Sequence, residues 1–281
     1  MIIFKQAKPL ADYLNIKRQA GKKIGFVPTM GALHQGHLSL VAEAKSNNNV
    51  TVCSIFVNPT QFNNPEDLKR YPITIEKDIE QLLAVACDVL FLPSNEQIYP
   101  RDYEKKLYDL GNIENSLEGF YRPGHFQGVC QVVDRLLDIV NPDNLYMGQK
   151  DFQQCMVIKK LLEITGKNNS IHLNISPTIR ETSGLAMSSR NLRLDPLEKK
   201  IALSIYQELT EIKKQLHLAP LVQLKETAKQ HLEQKGFKVD YVEIANSHDL
   251  SPATEASEAS VALIAASIGT IRLIDNIILN R

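Results

Sequence analysis

Two histidines three residues apart, His34 and His37, are the residues of this chain with the clearest capacity for chemistry. Imidazole rings can donate hydrogen bonds to anionic oxygens, exchange protons or bind a metal ion. The pair follows a small-residue turn, 29–32, and the apolar run 24–27, which a proline closes. A strand, a glycine turn and a helix start present backbone N–H groups to a phosphate. The stretch 22–45 therefore indicates a nucleotide site.

Other interpretations of this histidine pair compete with that one. A metal site needs a third ligand, which the stretch does not supply, and the zincin pattern is absent. Two unrelated surface or core histidines are the default for any such pair, but the strand and glycines around them weigh against it. The phosphate loops GxxxxGK(S/T) and GxGxxG do not occur here. HxGH after a first strand is typical of the class I synthetase and nucleotidyltransferase superfamily, where it holds the triphosphate of ATP.

Lys150 lies in a second segment of this kind, GQKDFQQ at 148–154, where an apolar run ends and a helical pattern begins. A lysine there can reach a phosphate, and Asp151 can cap the helix that follows. A plain turn before a capped helix would give the same pattern.

Ser188, Ser189 and Arg190 belong to a third polar segment, GLAMSSRN at 184–191. Two hydroxyls beside a guanidinium suit a phosphate or pyrophosphate anion. A flexible interdomain linker is the alternative, and the two are compatible because a loop at a domain junction can close over substrates. The segment YRPGHF, 121–126, adds one more cation and one more imidazole.

Apolar runs and helical spacing alternate from the start of the chain to residue 92, which predicts βαβ units and a parallel sheet. Residues 94–126 are irregular apart from one short strand, and strands and helices follow again to residue 175. Ligands of such sheets bind at the carboxyl ends of the strands. The loops that follow Val27 and Val57 begin at that edge. The predicted strands are 2–4, 24–27, 50–57, 89–92, 106–110, 144–147 and 171–175, and the predicted helices 10–20, one ending near 44, 76–87, 128–140 and 152–165.

The rest of the sequence has a different pattern, with two helices followed by three strands. This order predicts an antiparallel sheet with one face covered by helices. The predicted elements are helices 198–216 and 222–234 and strands 239–244, 260–266 and 270–278. The fold class is therefore α/β, with a Rossmann-like parallel-sheet domain at 1–180 and a smaller α+β domain at 181–281 that acts as a lid.

Composition excludes several classes of protein. The 281 residues are 43% apolar and 23% charged, which is ordinary for a globular protein. Thirty-two basic and 32 acidic residues cancel, so no net field favours nucleic acid or an anionic membrane. Four cysteines without a CxxC pair indicate buried free thiols. No apolar run approaches the ~20 residues that span a bilayer, so a cytoplasmic protein without nucleic-acid or membrane partners is expected.

Five motifs in this order resemble those of the pantothenate synthetases, or pantoate–β-alanine ligases. They cover almost the whole chain, and NPTQF and GxKDxQQ distinguish this family from other nucleotidyltransferases. The motifs are PTMGALHQGH (28–37), SIFVNPTQF (54–62), RPGHF (122–126), GQKDFQQ (148–154) and GLAMSSRN (184–191).

The resemblance implies an ATP-dependent ligase that joins (R)-pantoate to β-alanine and releases AMP and diphosphate. The reaction of this family passes through pantoyl adenylate and uses Mg²⁺, and the resemblance also implies a homodimer. In the first step a carboxylate attacks the α-phosphorus, and no general base is needed because the nucleophile is already an anion. Catalysis should therefore consist mostly of positioning and electrostatic stabilisation.

The same resemblance assigns roles to individual residues. The expected catalytic residues are His34, His37, Lys150, Ser188, Ser189 and Arg190, with His37 as the main proton donor. The expected ATP site comprises Met30, Gly31, Ala32, Leu33, His34, Gln35, Gly36, His37, Gly148, Gln149, Lys150, Asp151, Ile179, Met187, Ser188, Ser189 and Arg190. Gln61 and Gln154 are expected to bind pantoate, Gln61 also β-alanine, and Asp78 to hold Mg²⁺ through water.

Three positions depart from the family pattern. Gln149 stands where Glu is frequent, Ile73 where Arg is frequent, and Lys77 where a second acid can precede Asp78. The departures put the metal assignment in doubt, not the activity. Two rival functions stay open: a nucleotidyltransferase that stops at the activated product, and a regulatory nucleotide-binding module, against which the intact polar motifs count.

Overall fold

A computed structural model of the chain describes residues 1–63 and 65–280, which divide into two compact units. The first unit comprises Met1–Gly148 and Val157–Ser176, and the second comprises Gln149–Met156 together with the chain from Pro177 onward. The predicted domains, 1–180 and 181–281, differ from these units at 149–156 and 177–180. Their roles as substrate-binding domain and lid stay predictions.

The first unit is built on a six-stranded parallel sheet with the strand order β1-β4-β3-β2-β5-β6. β2 and β3 are central and buried, which explains their nearly continuous apolar sequence. The order of strands reverses at the β2–β5 pair, and ligands of such sheets bind outside the carboxyl ends of the strands at a reversal. The strands are β1 Ile2–Phe4, β2 Ile24–Thr29, β3 Val50–Ile55, β4 Val89–Phe91, β5 Asn144–Gly148 and β6 His172–Ser176.

Helices connect these strands and cover the sheet, so the predicted Rossmann-like α/β architecture is confirmed. One apolar core packs Val27 and Cys53 of the sheet against Val41 and Leu82 of the helices. The helices are α1 Ala7–Gln19, α2 Gln35–Asn47, α3 Pro65–Lys69, α4 Ile75–Ala84, α5 Asn95–Ile98, α6 Glu118–Tyr121, α7 His125–Val140 and α8 Phe152–Ile164, the last of which runs from the second unit's residues into the first.

The predicted strand 106–110 is wrong, because this segment has no regular secondary structure. The side-chain amide of Gln127 accepts from the Tyr108 N–H at 3.1 Å and donates to the Tyr108 carbonyl at 2.8 Å. An amide side chain on α7 thus supplies the two hydrogen bonds that a neighbouring strand would have supplied. The alternating pattern of this segment reflects burial of Tyr108 and Leu110 against the unit rather than pairing in a sheet.

The second unit contains a three-stranded antiparallel sheet in the order β7-β8-β9 and two long helices. Apolar residues of α9 and α10 pack with Ile271 and Leu273 of β9, so the predicted α+β architecture is confirmed. Asp195 caps α9 by accepting from the N–H groups of Leu197 and Glu198 at 2.7 and 2.8 Å. The elements are α9 Pro196–Gln215, α10 Leu221–Gln234, β7 Lys238–Asn246, β8 Ser260–Ile268 and β9 Ile271–Asn280.

All four cysteines are buried and free, as the sequence predicts. Burial raises the pKa of the Cys87 thiol to about 11, so this group stays protonated near neutral pH and is a poor nucleophile. None of the helices in the described ranges carries an apolar stretch of the length that a bilayer crossing requires.

Asp134 of α7 is a buried carboxylate, 1% exposed, that ties distant segments of the first unit together. Lys106 donates to it at 2.9 Å and the Tyr108 hydroxyl at 2.8 Å, and Lys167 pairs with its other oxygen. Burial alone would raise the pKa of Asp134, but the hydrogen bonds from Lys167, Lys106 and Tyr108 lower it below the ordinary value. The charged form therefore stabilises the fold.

We expect Asp134→Asn to reduce the free energy of unfolding by about 2 kcal/mol at pH 7, the scale of hydrogen bonds to a charged group. A carboxyl with a depressed folded-state pKa stabilises above its unfolded pKa of about 3.9 and loses this contribution as pH falls through the folded value. The difference between variant and parent should shrink below pH 4 in denaturant melts followed by circular dichroism. Asp138→Asn, one turn along α7 at a more exposed side chain, is the control, and an equal loss there would contradict the expectation.

Candidate active site

The turn that joins β2 to α2 has an unusual backbone. Gly31 has a φ of 82° and Ala32 a φ of 48°, and the second value is in the left-handed region that disfavours a β-carbon. The Thr29 hydroxyl donates to the Ser54 carbonyl at 2.7 Å and accepts from the Gly31 N–H at 3.2 Å. A side chain at Gly31 would place its Cβ 3.0 Å from Asp78 Oδ2. Glycine is therefore required at the first of these two positions.

Asp78 of α4 holds this turn in place. Its carboxylate is completely buried and accepts from the N–H groups of Ala32 and Leu33 at 3.0 and 2.8 Å. The Thr74 hydroxyl donates to the same carboxylate at 3.0 Å. Both oxygens are therefore engaged, one by Ala32 and the other by Leu33 and Thr74. The geometry gives Asp78 a structural role in the turn, and its expected role of holding Mg²⁺ through water stays a prediction.

His34 and His37 cap the N-terminus of α2 reciprocally. His34 Nδ1 accepts from the Gly36 N–H at 3.2 Å, and His37 Nδ1 accepts from the His34 N–H at 3.3 Å. An imidazole that accepts through Nδ1 is neutral and carries its proton on Nε2. The two half-buried rings, with centroids 4.0 Å apart, are thus both set as Nε2–H donors. Donors of this kind suit phosphate oxygens.

The loop after β3 fixes the side chain of Gln61. Asn58 is completely buried and donates through Nδ2 to Gln61 Oε1 and to the Gly128 carbonyl, each at 3.1 Å. The Gln61 Nε2 lies 3.0 Å from the Met30 sulfur, which is a weak acceptor. The amide of Gln61 therefore presents its NH₂ end toward Met30 and is able to donate to a stronger acceptor. Asn58 was not assigned a role from the sequence, although it follows a buried run directly.

α7 approaches this loop closely at Gly128. A β-carbon there would lie 2.3 Å from the Thr60 carbonyl oxygen and 2.8 Å from the Gln61 Cα. His125, one turn earlier on α7, is 5% exposed, and its Nδ1 lies 2.8 Å from the Gln61 carbonyl oxygen. The RPGHF motif thus contributes a buried histidine that fixes the backbone of the loop, and Gly128 is required because the helix and the loop are in backbone contact.

Lys150 lies in the second unit, in a single 3-10 turn at Gln149–Asp151. Its ammonium is 3.7 Å from Asp151 Oδ1, and its side chain is 17% exposed. Gln149 Nε2 donates to Asn276 Oδ1 at 3.1 Å, so an amide at 149 finds a matching acceptor. A glutamate at position 149, which is frequent in the family, would place a carboxylate oxygen against Asn276 Oδ1. This repulsion gives a local reason why the chain has glutamine there. The predicted cap by Asp151 stays a prediction.

The GLAMSSRN segment forms a compact hairpin-like loop in the second unit. The Met187 N–H donates to the Ile179 carbonyl at 3.0 Å, beside a bridge between Arg180 and Ala186. Ser188 then starts a 3-10 turn by accepting from the Arg190 N–H at 3.3 Å. Ser189 is buried and Arg190 half-buried. The loop therefore has a defined conformation and is not an extended linker.

The residues of the predicted site are divided between the two units. The first unit holds Met30, Gly31, Ala32, Leu33, His34, Gln35, Gly36 and His37, with Gln61, Asp78 and, at the end of β5, Gly148. The second unit holds Gln149, Lys150, Asp151 and the half-buried Gln154, together with Ile179, Met187, Ser188, Ser189 and Arg190. Among residues 1–63 and 65–280, no group of three or more His, Cys, Asp or Glu side chains is arranged to hold a metal ion.

The parallel sheet is Rossmann-like, and the HxGH motif lies after the carboxyl end of β2, where α2 begins. This combination is typical of nucleotide-binding α/β proteins. A family described as pantoate-beta-alanine ligase matches residues 2–278. The chain belongs to this family, which confirms the resemblance and the ligase activity expected from the motifs.

Individual members of this family are similar to the chain over nearly its full length. It is 43% identical to the pantothenate synthetase of Cytophaga hutchinsonii, with 99% of both chains covered. The crystal structure of pantothenate synthetase from Thermus thermophilus matches with a TM-score of 0.93 at 34% identity, covering 100% of both chains. A pantoate-beta-alanine ligase from Francisella tularensis, whose structure is described as complexed with beta-gamma ATP and beta-alanine, matches with a TM-score of 0.82 at 41% identity, covering 99% of this chain and 98% of its own.

We expect Asp78→Ala to destabilise the first unit, because two backbone N–H groups lose their buried acceptor. The melting temperature should fall by several degrees, and protease cleavage near the β2–α2 turn should become faster. Glu76→Ala, an exposed acid in the first turn of the same helix, is the control and should leave both unchanged. An Asp78→Ala variant with an unchanged melting temperature and a raised Mg²⁺ requirement would contradict this structural role and support the predicted metal role.

Proposed function

We propose that this chain condenses (R)-pantoate with β-alanine at the expense of ATP, through a pantoyl-adenylate intermediate. Family membership defines the ligase, and the Francisella relative described with an ATP derivative and β-alanine supports the same substrates here. The observation that carries the proposal is the reciprocal capping of His34 and His37, which sets two neutral donors at the carboxyl edge of the sheet.

In the first step a pantoate carboxylate oxygen forms a bond to the α-phosphorus, and the bond from that phosphorus to diphosphate breaks. Two anions must approach each other, and negative charge grows on the leaving group. Hydrogen-bond donors that are already oriented toward the phosphate oxygens stabilise this developing charge and lower the barrier. His34 and His37 donate through Nε2 to the phosphate oxygens, and Mg²⁺ enters with ATP as part of the nucleotide substrate.

The leaving diphosphate needs further positive charge, for which Lys150 and Arg190 are the proposed sources. Lys150 contacts the phosphates as a point charge. Ser188 and Ser189 donate from hydroxyls, while Arg190 offers a planar fork that matches two phosphate oxygens. The remaining expected contacts of the nucleotide, including Ile179 and Met187, belong to the same proposal.

Pantoate recognition requires polar, uncharged groups for its hydroxyls. Asn58 occupies the oxygen of the Gln61 amide, so Gln61 donates from Nε2 to a substrate oxygen in place of the weak contact with Met30. Gln154 is the second pantoate ligand. The site therefore favours an acid whose oxygen atoms reach these amide donors, because an analogue without such an oxygen leaves a buried donor unpaired.

In the second step the neutral amine of β-alanine attacks the acyl carbon of the adenylate. A C–N bond forms, the bond to AMP breaks, and the amine proton passes to solvent. Gln61 also contacts β-alanine. The protein is further proposed to act as a homodimer in the cytoplasm, and light scattering of the purified chain tests the oligomeric state.

ATP–pyrophosphate exchange separates this proposal from its rivals. With ATP, Mg²⁺ and pantoate but without β-alanine, exchange should appear, and it should be absent without pantoate. Addition of β-alanine should then release AMP in step with pantothenate. Exchange that ignores pantoate would favour a transferase with another acceptor, and nucleotide binding without exchange would favour a regulatory module.

His37→Ala should slow pantoate-dependent exchange by about 10²-fold, the scale of one donor directed at developing phosphate charge. His172→Ala removes an exposed imidazole from β6 of the same unit and should leave the rate unchanged. Equal exchange rates for the parent and His37→Ala would eliminate the proposed role of this ring.

A further inference from the structure

Asn276 is an unusual residue for the position it occupies, in the interior of strand β9. It is 2% exposed and lies opposite Leu263 of β8. A buried carboxamide is costly unless its donors and its acceptor are all bonded. The hydrogen bonds of Asn276 therefore explain why an amide is placed there.

The Asn276 carboxamide is used completely by one turn of the chain. Its Nδ2 donates to the carbonyl oxygens of Gln149 and Lys150, both at 2.9 Å. Its Oδ1 accepts from Gln149 Nε2 at 3.1 Å. The orientation of the amide is fixed, because a reversed group would place its oxygen against two carbonyl oxygens.

These bonds fix the backbone on both sides of Lys150. The Gln149 carbonyl belongs to the peptide unit before Lys150, and the Lys150 carbonyl to the unit after it. Two held peptide planes determine φ and ψ of the residue between them, and thus the direction of its Cα–Cβ bond. Asn276 of β9 therefore fixes the position of the Lys150 Cα and Cβ, and the flexible rest of the side chain extends from there.

The preceding residue of β9 holds the other polar segment of the second unit. Arg180 donates to both Asp275 oxygens at 2.6 and 3.0 Å and to the Gly184 carbonyl at 3.2 Å. Its guanidinium also lies 3.7 Å from the ring centroid of Tyr206. Adjacent strand residues point to opposite faces of a sheet, so one step of β9 secures the Lys150 turn on one face and the base of the GLAMSSRN loop on the other.

We propose that Asn276 is a positioning residue for Lys150 in the adenylate-forming step. The inference rests on the proposed function, in which the Lys150 ammonium contacts the ATP phosphates. Displacement of a catalytic group by about 1 Å can cost 10²-fold in rate. Loss of the two Asn276 Nδ2 bonds releases the 149–151 turn. The Lys150 ammonium then moves away from the position in which it contacts the phosphates.

Asn276→Ala tests this role by ATP–pyrophosphate exchange in the presence of pantoate. We expect the maximal exchange rate to fall at least tenfold. The control is Asn280→Ala, which removes another β9 carboxamide that bridges two backbone carbonyls, those of Ala256 and Glu258, outside the candidate site. This control should retain the parent rate, and a comparable loss in it would overturn the proposal.

A double-variant cycle separates positioning from general structural support. If Asn276 acts through Lys150, the exchange rate of Lys150→Ala/Asn276→Ala should equal that of Lys150→Ala alone. Multiplied losses in the double variant would overturn the inference while leaving the proposed function intact. An unchanged rate in Lys150→Ala would instead remove the lysine from the proposed function itself.

Folding of the variants is checked by thermal melts of the full chain. Should Asn276→Ala fail to fold, Asn276→Thr suits a strand and keeps a single hydroxyl donor. It should lower the exchange rate in the same direction but to a smaller extent. A folded Asn276→Thr protein with the parent rate would overturn the proposal.

Discussion

The candidate site of the first unit depends on a completely buried carboxylate. Asp78 accepts two backbone N–H bonds from a turn whose Ala32 is left-handed, a conformation that costs of order 1 kcal/mol or more for a residue with a β-carbon. Charge-assisted hydrogen bonds offset that cost. Because α2 begins directly after this turn, the same carboxylate decides where His34 and His37 lie.

Several polar side chains of this protein are held by hydrogen bonds between side chain and backbone. The rings of His34 and His37 accept hydrogen bonds from main-chain N–H groups, and the Asn276 side chain donates to main-chain carbonyls. Backbone partners cannot rotate away, so they hold a ring or an amide in one orientation. This arrangement suits a reaction in which the nucleophile is already charged and the protein's task is to place donors rather than to move protons.

Much of the fold could be predicted because strand and helix periodicities are local. The βαβ order and the HxGH position follow from runs of a few residues. The failure at 106–110 has a tertiary cause, since Gln127 replaces a strand as hydrogen-bond partner. The role of Asp78 was equally hidden, because its partner Ala32 lies 46 residues away and periodicity says nothing about side-chain direction. The resemblance supplied residue roles, but not the groups that hold those residues.

The bond between Gln149 and Asn276 joins positions 127 residues apart, which has a consequence for the order of assembly. When the chain emerges from the ribosome, the sheet of the first unit can pair before β9 has been synthesised. The 149–151 turn then has to wait for a strand that appears much later, and its carbonyls remain hydrated until that strand docks. The 149–151 turn therefore acquires its three hydrogen bonds to Asn276 only after the strands of the parallel sheet have become available for pairing.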